Sequence, residues 1–293
     1  MLIVKELSIK TSAFHIIRQV SFKINQGRVK VLLGESGAGK STLGLFLSGV
    51  LKPGLSWEGE VFYHGEKINP LGEDWRGRTA GLILQDPYSS FDPRQRILSA
   101  LVEPLMVHLS LSRGEAEDRA LYWLRQVEFP LEKRWRFPHE LSGGLLQRAA
   151  VAAALILEPG VLIADEPTSA LDPPLRAGIR ELIKKFSHKR HVLYITHFVE
   201  DALFFGEDYL VLYGGLVMEE GPRLRHPYSK LLMTSVVKPG KELPEVTGFS
   251  PHPSSLPPGC PFRPRCGEAS DRCYELPPLK KAGENLVRCW NVR

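Results

Sequence analysis

The chain has 293 residues, of which 43% are hydrophobic and 24% charged, enough length and apolar content for one large or two modest cores. No run of about 18 apolar residues exists to form a membrane-spanning helix, and Met1-Leu2-Ile3-Val4-Lys5-Glu6 meets charge too early for a signal peptide, so a cytoplasmic chain is expected. The net charge of +5 suits nucleotides, nucleic acid or anionic headgroups, but the Lys and Arg residues are scattered and an ordinary solvated surface accounts for them. Short apolar runs at Leu2 to Ile9, Ile16 to Ile24 and Val29 to Leu33 read as strands, with Asn25-Gln26-Gly27 as the turn before the last.

The next stretch is Gly34-Glu35-Ser36-Gly37-Ala38-Gly39-Lys40-Ser41-Thr42, which fits G-x-x-x-x-G-K-[ST], the phosphate-binding P-loop. It follows a buried-strand candidate, and Thr42 to Leu51 reads as the start of a helix. The spacing answers a charge problem. Phosphates need backbone N–H groups pointing inward, and glycines let the loop wrap without side chains in the way. The helix N-terminus adds its positive dipole end, Lys40 would reach the β/γ phosphates, and Ser41 would ligate Mg²⁺.

Lys52-Pro53-Gly54 breaks the chain, Trp57 to His64 reads as a strand, and Ala80 to Leu84 as a compact buried strand ending at Gln85. From Ile97 to Val127 apolar residues recur at helical spacing, and Leu141 to Leu157 continues as helix, which predicts a mostly helical insertion. Val161 to Ala164 returns to strand, Pro173 to Phe186 to helix and His191 to Thr196 to strand; Gly214-Gly215 between Tyr209 to Tyr213 and Leu216 to Glu219 signals a hairpin. Strand–helix alternation around a P-loop predicts an α/β fold with a mostly parallel sheet. From Pro239 to Pro264 there are eight prolines, which predicts an irregular tail held by something other than a hydrophobic core. All four cysteines, Cys260, Cys266, Cys273 and Cys289, lie towards the end of the chain, and in a reduced cytosol such clustering favours a metal site over disulfides.

Two further segments carry chemistry. Val161 to Glu166 is an apolar strand ending in two carboxylates, the Walker B arrangement, in which Asp165 would hold the magnesium shell and Glu166 would orient or deprotonate water. Adjacent acids alone are often a solvated turn; about 125 residues after a P-loop lysine they favour function. Ser142-Gly143-Gly144 at a helix start is a second backbone anion site, or a plain N-cap.

Leu141-Ser142-Gly143-Gly144-Leu145-Leu146-Gln147-Arg148 resembles the LSGGQ signature of ATP-binding cassette (ABC) proteins, departing at Leu145. Gln85-Asp86-Pro87 resembles the family's Q-loop, Ser169-Ala170-Leu171-Asp172 its D-loop, and Thr196-His197 its switch histidine, all in family order over residues 1 to 222. The resemblance implies a P-loop NTPase core with an N-terminal antiparallel β subdomain, a helical subdomain over about 86–157 and a C-terminal extension over 223–293. It implies an ATPase working as a head-to-tail dimer. Gly34 to Thr42 would bind this chain's own ATP, with Ser41, Gln85 and Asp165 around Mg²⁺, while Ser142, Gly143, Gly144 and Asp172 would serve the site shared with the partner. Glu166 is expected as catalytic base, and His197 as the group on the γ-phosphate that positions water with Gln85. Adenine stacking would fall to Phe14, with Thr11 and His15 competing for the place.

Local stretches resemble the peptide and nickel importer ATPases within that family: Gln85 to Pro93, Phe137 to Ser142, Glu219 to Pro222, His226 to Leu232, and Gly259 to Cys266 with Arg288-Cys289-Trp290. The linker from Gly221 to His226 is shorter than that group usually has. This resemblance implies a second ATPase subunit in a heterodimer, two separate permeases, an extracytoplasmic solute-binding protein, and a place on the cytoplasmic face of the membrane. A nickel or other solute importer, and a non-transport ABC ATPase, are the alternatives. The spacing C-x5-C-x6-C-x15-C is atypical for zinc, and the resemblance implies a [4Fe–4S] cluster, with zinc or free thiols as alternatives.

Overall fold

The structure, a computed structural model, describes residues 1–234 and 250–292. Strands β1 (Leu2–Lys10), β2 (His15–Ile24) and β3 (Val29–Leu33) lead into helix α1 (Lys40–Leu47), then β4 (Ser56–Tyr63), β5 (Glu66–Ile68) and β6 (Ala80–Ile83). Helices α2 (Ile97–Leu109), α3 (Arg113–Gln126) and α4 (Gly143–Leu155) follow. The chain continues through β7 (Val161–Asp165), α5 (Pro173–Ser187), β8 (His191–Ile195), α6 (Val199–Phe205), β9 (Tyr209–Tyr213), β10 (Leu216–Gly221) and α7 (Pro227–Thr234). It closes with β11 (Lys280–Ala282) and β12 (Asn285–Val287). Two compact units result: one of Met1–Leu43, Leu51–Asn69 and Leu193–Arg293, the other of Gly44–Val50 and Pro70–Val192.

The first unit holds a four-stranded antiparallel sheet in the order β2-β1-β4-β5. Side chains alternate across a strand, yet β1 buries Leu2 and Val4 and then Leu7 and Ile9, a change of parity. A register shift between Val4 and Leu7 accounts for it. Glu6 takes a left-handed φ of 49° there, and its N–H donates to Ser21 Oγ at 2.8 Å. Gln19 of β2 does the same at φ 48°, its N–H donating to Ser8 Oγ at 3.0 Å.

In the same unit β3 runs parallel to β9, with Val31 opposite Tyr209 and Leu33 opposite Val211. β9 and β10 form the expected hairpin at Gly214-Gly215, where both residues have positive φ. Lys30 of β3 is almost fully buried, and its ammonium bonds Asp208 and Glu220, each at 2.8 Å. A buried ammonium without such partners would cost several kcal/mol.

The extension is irregular through the described part of its proline-rich stretch and gains strands only beyond it. Of the proline-rich stretch, Pro239 to Phe249 lie outside the described residues, and from Ser250 onward the chain is irregular, apart from 3₁₀ turns, until β11. There β11 and β12 form a hairpin, and β12 pairs antiparallel with β10, Glu219 opposite Val287 and Glu220 opposite Leu286. Backbone pairing and a small apolar cluster of Ala282, Val287 and Cys289 therefore hold the extension. The sheet is more mixed than the sequence predicts, because every described strand beyond β9 on this side is antiparallel.

His226 precedes α7 in this region and is buried. Its Nδ1 accepts from the Tyr228 N–H at 3.0 Å, and its own backbone N–H donates to Glu219 at 3.0 Å. Burial pushes the imidazole down to about 4. The fold keeps it neutral while the unfolded chain takes up a proton near pH 6.5, so its contribution is complete above 6.5 and is lost as pH falls towards 4. Up to about 3 kcal/mol should disappear over that window. Urea midpoints measured at about pH 7.5 and about pH 4.5 should therefore converge more closely in His226→Asn than in the wild type.

In the second unit β6 and β7 are parallel neighbours, with Ala80 opposite Val161 and Ile83 opposite Ala164. Strand β6 lies so close to α4 that a Cβ on Gly81 would fall 2.3 Å from the Ala154 carbonyl oxygen. The helical insertion is present, but the stretch Ile97 to Val127 is two helices. Ser110 ends α2 in a left-handed conformation, and Ser112 caps α3 in a capping box with Glu115. Helix α3 buries Ala116, Ala120, Trp123 and Leu124, one face at helical spacing. Helix α1 ends at Leu47, short of the expected Leu51, because the chain turns at Gly49 with φ +90°.

Candidate functional site

The P-loop sits between β3 and α1, where the sequence placed it. Its shape depends on its glycines. A Cβ on Gly34 would meet the Leu212 carbonyl oxygen at 2.5 Å, and Gly39 has φ +96° against the Ile17 side chain. Lys40 is buried, and its ammonium donates to the carbonyls of Gly34 at 2.8 Å and Glu35 at 3.0 Å. The loop curls around its own lysine, placing a cation and a helix N-terminus together, the arrangement that receives phosphate.

Two other expected groups lie in the same unit. His197 follows β8 and is exposed, its ring 4.2 Å from that of Phe198. The preceding Thr196 is buried, donates its N–H to the Leu32 carbonyl at 3.2 Å, and accepts the Phe198 N–H on Oγ1 at 2.9 Å. Phe14 stands half-buried in the turn between β1 and β2, its ring edge-on to His252 at 5.2 Å. Thr11 Oγ1 ties that turn by accepting the N–H groups of Ala13 and Phe14, and Thr11, Phe14 and His15 line one cavity of about 380 Å³ with Arg18 and Ser254. All three candidates for adenine therefore face one cavity.

The second unit holds the carboxylates. Because β6 and β7 are parallel and in register, Gln85 and Asp165 fall at the carboxyl ends of neighbouring strands, where parallel sheets place their ligands. Gln85 is exposed, and Asp165 is 8% exposed. Asp86 caps the following 3₁₀ turn, accepting from the Tyr88 N–H at 3.1 Å and from Ser89 Oγ at 2.9 Å. Glu166 takes φ 48°, left-handed for a residue with a Cβ, and its carbonyl accepts from the Ser169 N–H at 3.1 Å and Ser169 Oγ at 3.0 Å. Such a conformation costs of order 1 kcal/mol and persists where its surroundings impose it.

Ser142 is exposed at the N-cap of α4, with no side-chain capping bond among the described residues, and Gly143 and Gly144 open the helix. A Cβ on Gly144 would press on the Leu175 side chain at 2.9 Å. Asp172 occupies the N-cap of α5 and is exposed, again without a side-chain capping bond among the described residues. The second anion site expected from the sequence is thus presented outward by its own unit.

The cysteines do not match expectation. Cys260, Cys273 and Cys289 are buried, Cys266 is half-buried, and all four are free thiols. The Cys260 N–H donates to the Cys273 carbonyl at 2.9 Å. Burial first, and then the charges of the neighbouring Cys273, Cys266 and Cys289, push the Cys260 thiol up to about 11; burial likewise raises that of Cys266, beside Cys289 and Cys273. No three His, Cys, Asp or Glu side chains among the described residues are placed to hold a metal ion. The expected [4Fe–4S] centre and its zinc alternative therefore gain no support from this arrangement of thiols.

Sequence reasoning did not find the contacts of Glu35. Its carboxylate takes both arms of the Arg265 guanidinium, at 2.6 and 2.8 Å, and its N–H donates to the Tyr228 hydroxyl at 2.8 Å. Both partners lie in stretches that resemble the importer group, but a resemblance does not disclose a contact across 230 residues.

Comparison with known proteins places the chain. Residues 17–169 match the family described as ABC transporter, and residues 221–273 match the oligopeptide/dipeptide transporter C-terminal region. The dipeptide transport ATP-binding protein DppF of Escherichia coli (strain K12) is 35% identical, over 93% of this chain and 86% of the relative. The di/tripeptide transport ATP-binding protein DppF of Pseudomonas aeruginosa (strain UCBPP-PA14) is also 35% identical, over 92% and 88%. A dimeric bacterial ABC transporter cassette, MJ0796, matches with a TM-score of 0.67 at 30% identity, covering 77% of this chain and all of that one; its post-hydrolysis state bound to ADP and Pi matches equally. These matches make the conclusion direct: this chain belongs to the ABC transporter family, as an ATPase of the group that carries the oligopeptide/dipeptide C-terminal region.

Proposed function

We propose that this ABC ATPase drives peptide import at the cytoplasmic face of a membrane, paired with a second ATPase subunit and seated on two permeases served by a solute-binding protein. The observation that carries the reading is the extension. Its match continues past the cassette to residue 273, and the relatives aligned over more than nine-tenths of the chain are dipeptide and di/tripeptide transport proteins. Among the described residues no helix is long and apolar enough to cross a membrane. We take residues 1–222 as the cassette and 223–293 as the extension.

Phosphoryl transfer needs positioning and charge stabilisation more than covalent chemistry. The amides of Gly34 to Thr42 and the Lys40 ammonium hold the triphosphate. Ser41, Asp165 and Gln85 are the residues that would hold Mg²⁺, which when bound would supply positive charge against the phosphates. Glu166 orients and deprotonates the attacking water, and His197 holds the γ-phosphate side. Ser142, Gly143, Gly144 and Asp172, exposed or at helix starts, complete the partner's site, so hydrolysis waits on dimer closure. Phe14 and its neighbours in the 380 Å³ cavity receive the adenine. The cysteines take no part in these steps.

The test is uptake of labelled dipeptide into vesicles holding the assembled transporter, with ATP on the side of this subunit. Uptake should require ATP and be lost with Lys40→Ala.

A further inference from the structure

The P-loop is anchored from the far end of the chain. Arg265 closes a 3₁₀ turn, Arg263–Arg265, in the extension. Its guanidinium places Nη1 2.6 Å from one Glu35 carboxylate oxygen and Nη2 2.8 Å from the other, while Nη1 also donates to the Tyr213 hydroxyl at 3.1 Å. Side-chain exposure is 6% for Arg265 and 26% for Glu35, so this is a shielded two-pronged pair and not a surface contact. The ionised carboxylate on both arms holds the Arg265 guanidinium even more firmly charged than usual.

The anchor is rigid. Tyr213 and Tyr228 are fully buried, with ring centroids 4.6 Å apart, and Phe262 packs against them at 5.5 and 5.2 Å. The Tyr228 hydroxyl accepts the Glu35 N–H, and the Glu35 carbonyl accepts from Lys40. Every polar group of Glu35 is therefore held: the carboxylate by Arg265, the amide by Tyr228, and the carbonyl by the lysine expected to meet phosphate. There is also a charge argument. Glu35 brings a carboxylate to the edge of a loop built to receive anions, and without a cation on it that carboxylate would repel a triphosphate.

We propose that Arg265 is a positioning residue for the nucleotide: acting through Glu35, it neutralises the one carboxylate of the P-loop and fixes the turn that presents Lys40, so that the C-terminal extension sets the affinity for ATP. This rests on the reading that the P-loop binds ATP. It gives the extension a role in the ATPase site that needs no metal. Arginine suits the place because its planar fork meets both carboxylate oxygens at once, which an ammonium cannot do.

The test measures dissociation constants for a fluorescent ATP analogue on the full chain, and KM and kcat for ATP in the assembled transporter. Arg265→Ala should weaken binding and raise KM about 10-fold with kcat changed less than about 2-fold, and Arg265→Lys should fall between it and wild type. Adding Glu35→Gln removes the carboxylate that Arg265 neutralises, so the double variant Arg265→Ala/Glu35→Gln should recover affinity to within about 3-fold of Glu35→Gln alone. A merely structural arginine would give no such rescue. Should Arg265→Ala fail to fold, Arg265→Lys and the double variant carry the comparison. Unchanged affinity in folded Arg265 variants, or a double variant no better than the single, would overturn the proposal. Failure of the ATP reading looks different: wild type itself would not bind the analogue, or Lys40→Ala would bind it normally.

Discussion

Glu166→Gln is expected to lower ATP turnover by about 100-fold or more, the range for loss of a general base, while ATP binding stays near wild type. The substitution keeps size and hydrogen-bonding capacity and removes the ability to take a proton from water. The backbone supports the choice of residue. Glu166 follows Asp165 at the end of β7 in a left-handed conformation, and the Ser169 amide and hydroxyl both bond its carbonyl. Mixed with the proposed second ATPase subunit and MgATP, the variant should run as a larger species on gel filtration than it does without nucleotide. Undiminished turnover would remove Glu166 from the role.

Lys40→Ala should act earlier, weakening ATP binding by about 100-fold and abolishing turnover with it. The ammonium is buried and bonds the carbonyls of Gly34 and Glu35, so its removal takes away a charge and loosens the loop that supplies the amides. Isothermal titration with MgATP would read the loss. The two substitutions separate by what survives: binding without chemistry for Glu166→Gln, neither for Lys40→Ala.

The site was legible where its chemistry is local. A strand, a glycine-rich turn, a lysine and a helix occupy consecutive residues, so Gly34 to Thr42 could be placed from the string alone, and Val161 to Glu166 for the same reason. Strand boundaries followed apolar runs to within a few residues. Where the sequence misled, the cause lies in contacts made elsewhere. The bulges at Glu6 and Gln19 are stabilised by Ser21 and Ser8 on the paired strand, which no pattern within one strand reveals. The hairpin of β11 and β12 is short and partly charged, and it forms against the edge of β10, so it carried little signal of its own. The Arg265–Glu35 pair joins the extension to the P-loop across 230 residues and exists only in the folded chain. Cysteine clustering suggested a metal, and among the described residues no group of three His, Cys, Asp or Glu side chains is found to support it.

The most direct test of the account is solute-dependent ATP hydrolysis by the assembled transporter in vesicles, with the binding protein loaded either with a dipeptide or with a nickel complex. The dipeptide-loaded protein is expected to stimulate phosphate release and drive dipeptide uptake, with both lost in Glu166→Gln. Stimulation by the nickel complex alone, or hydrolysis indifferent to either solute, would contradict it.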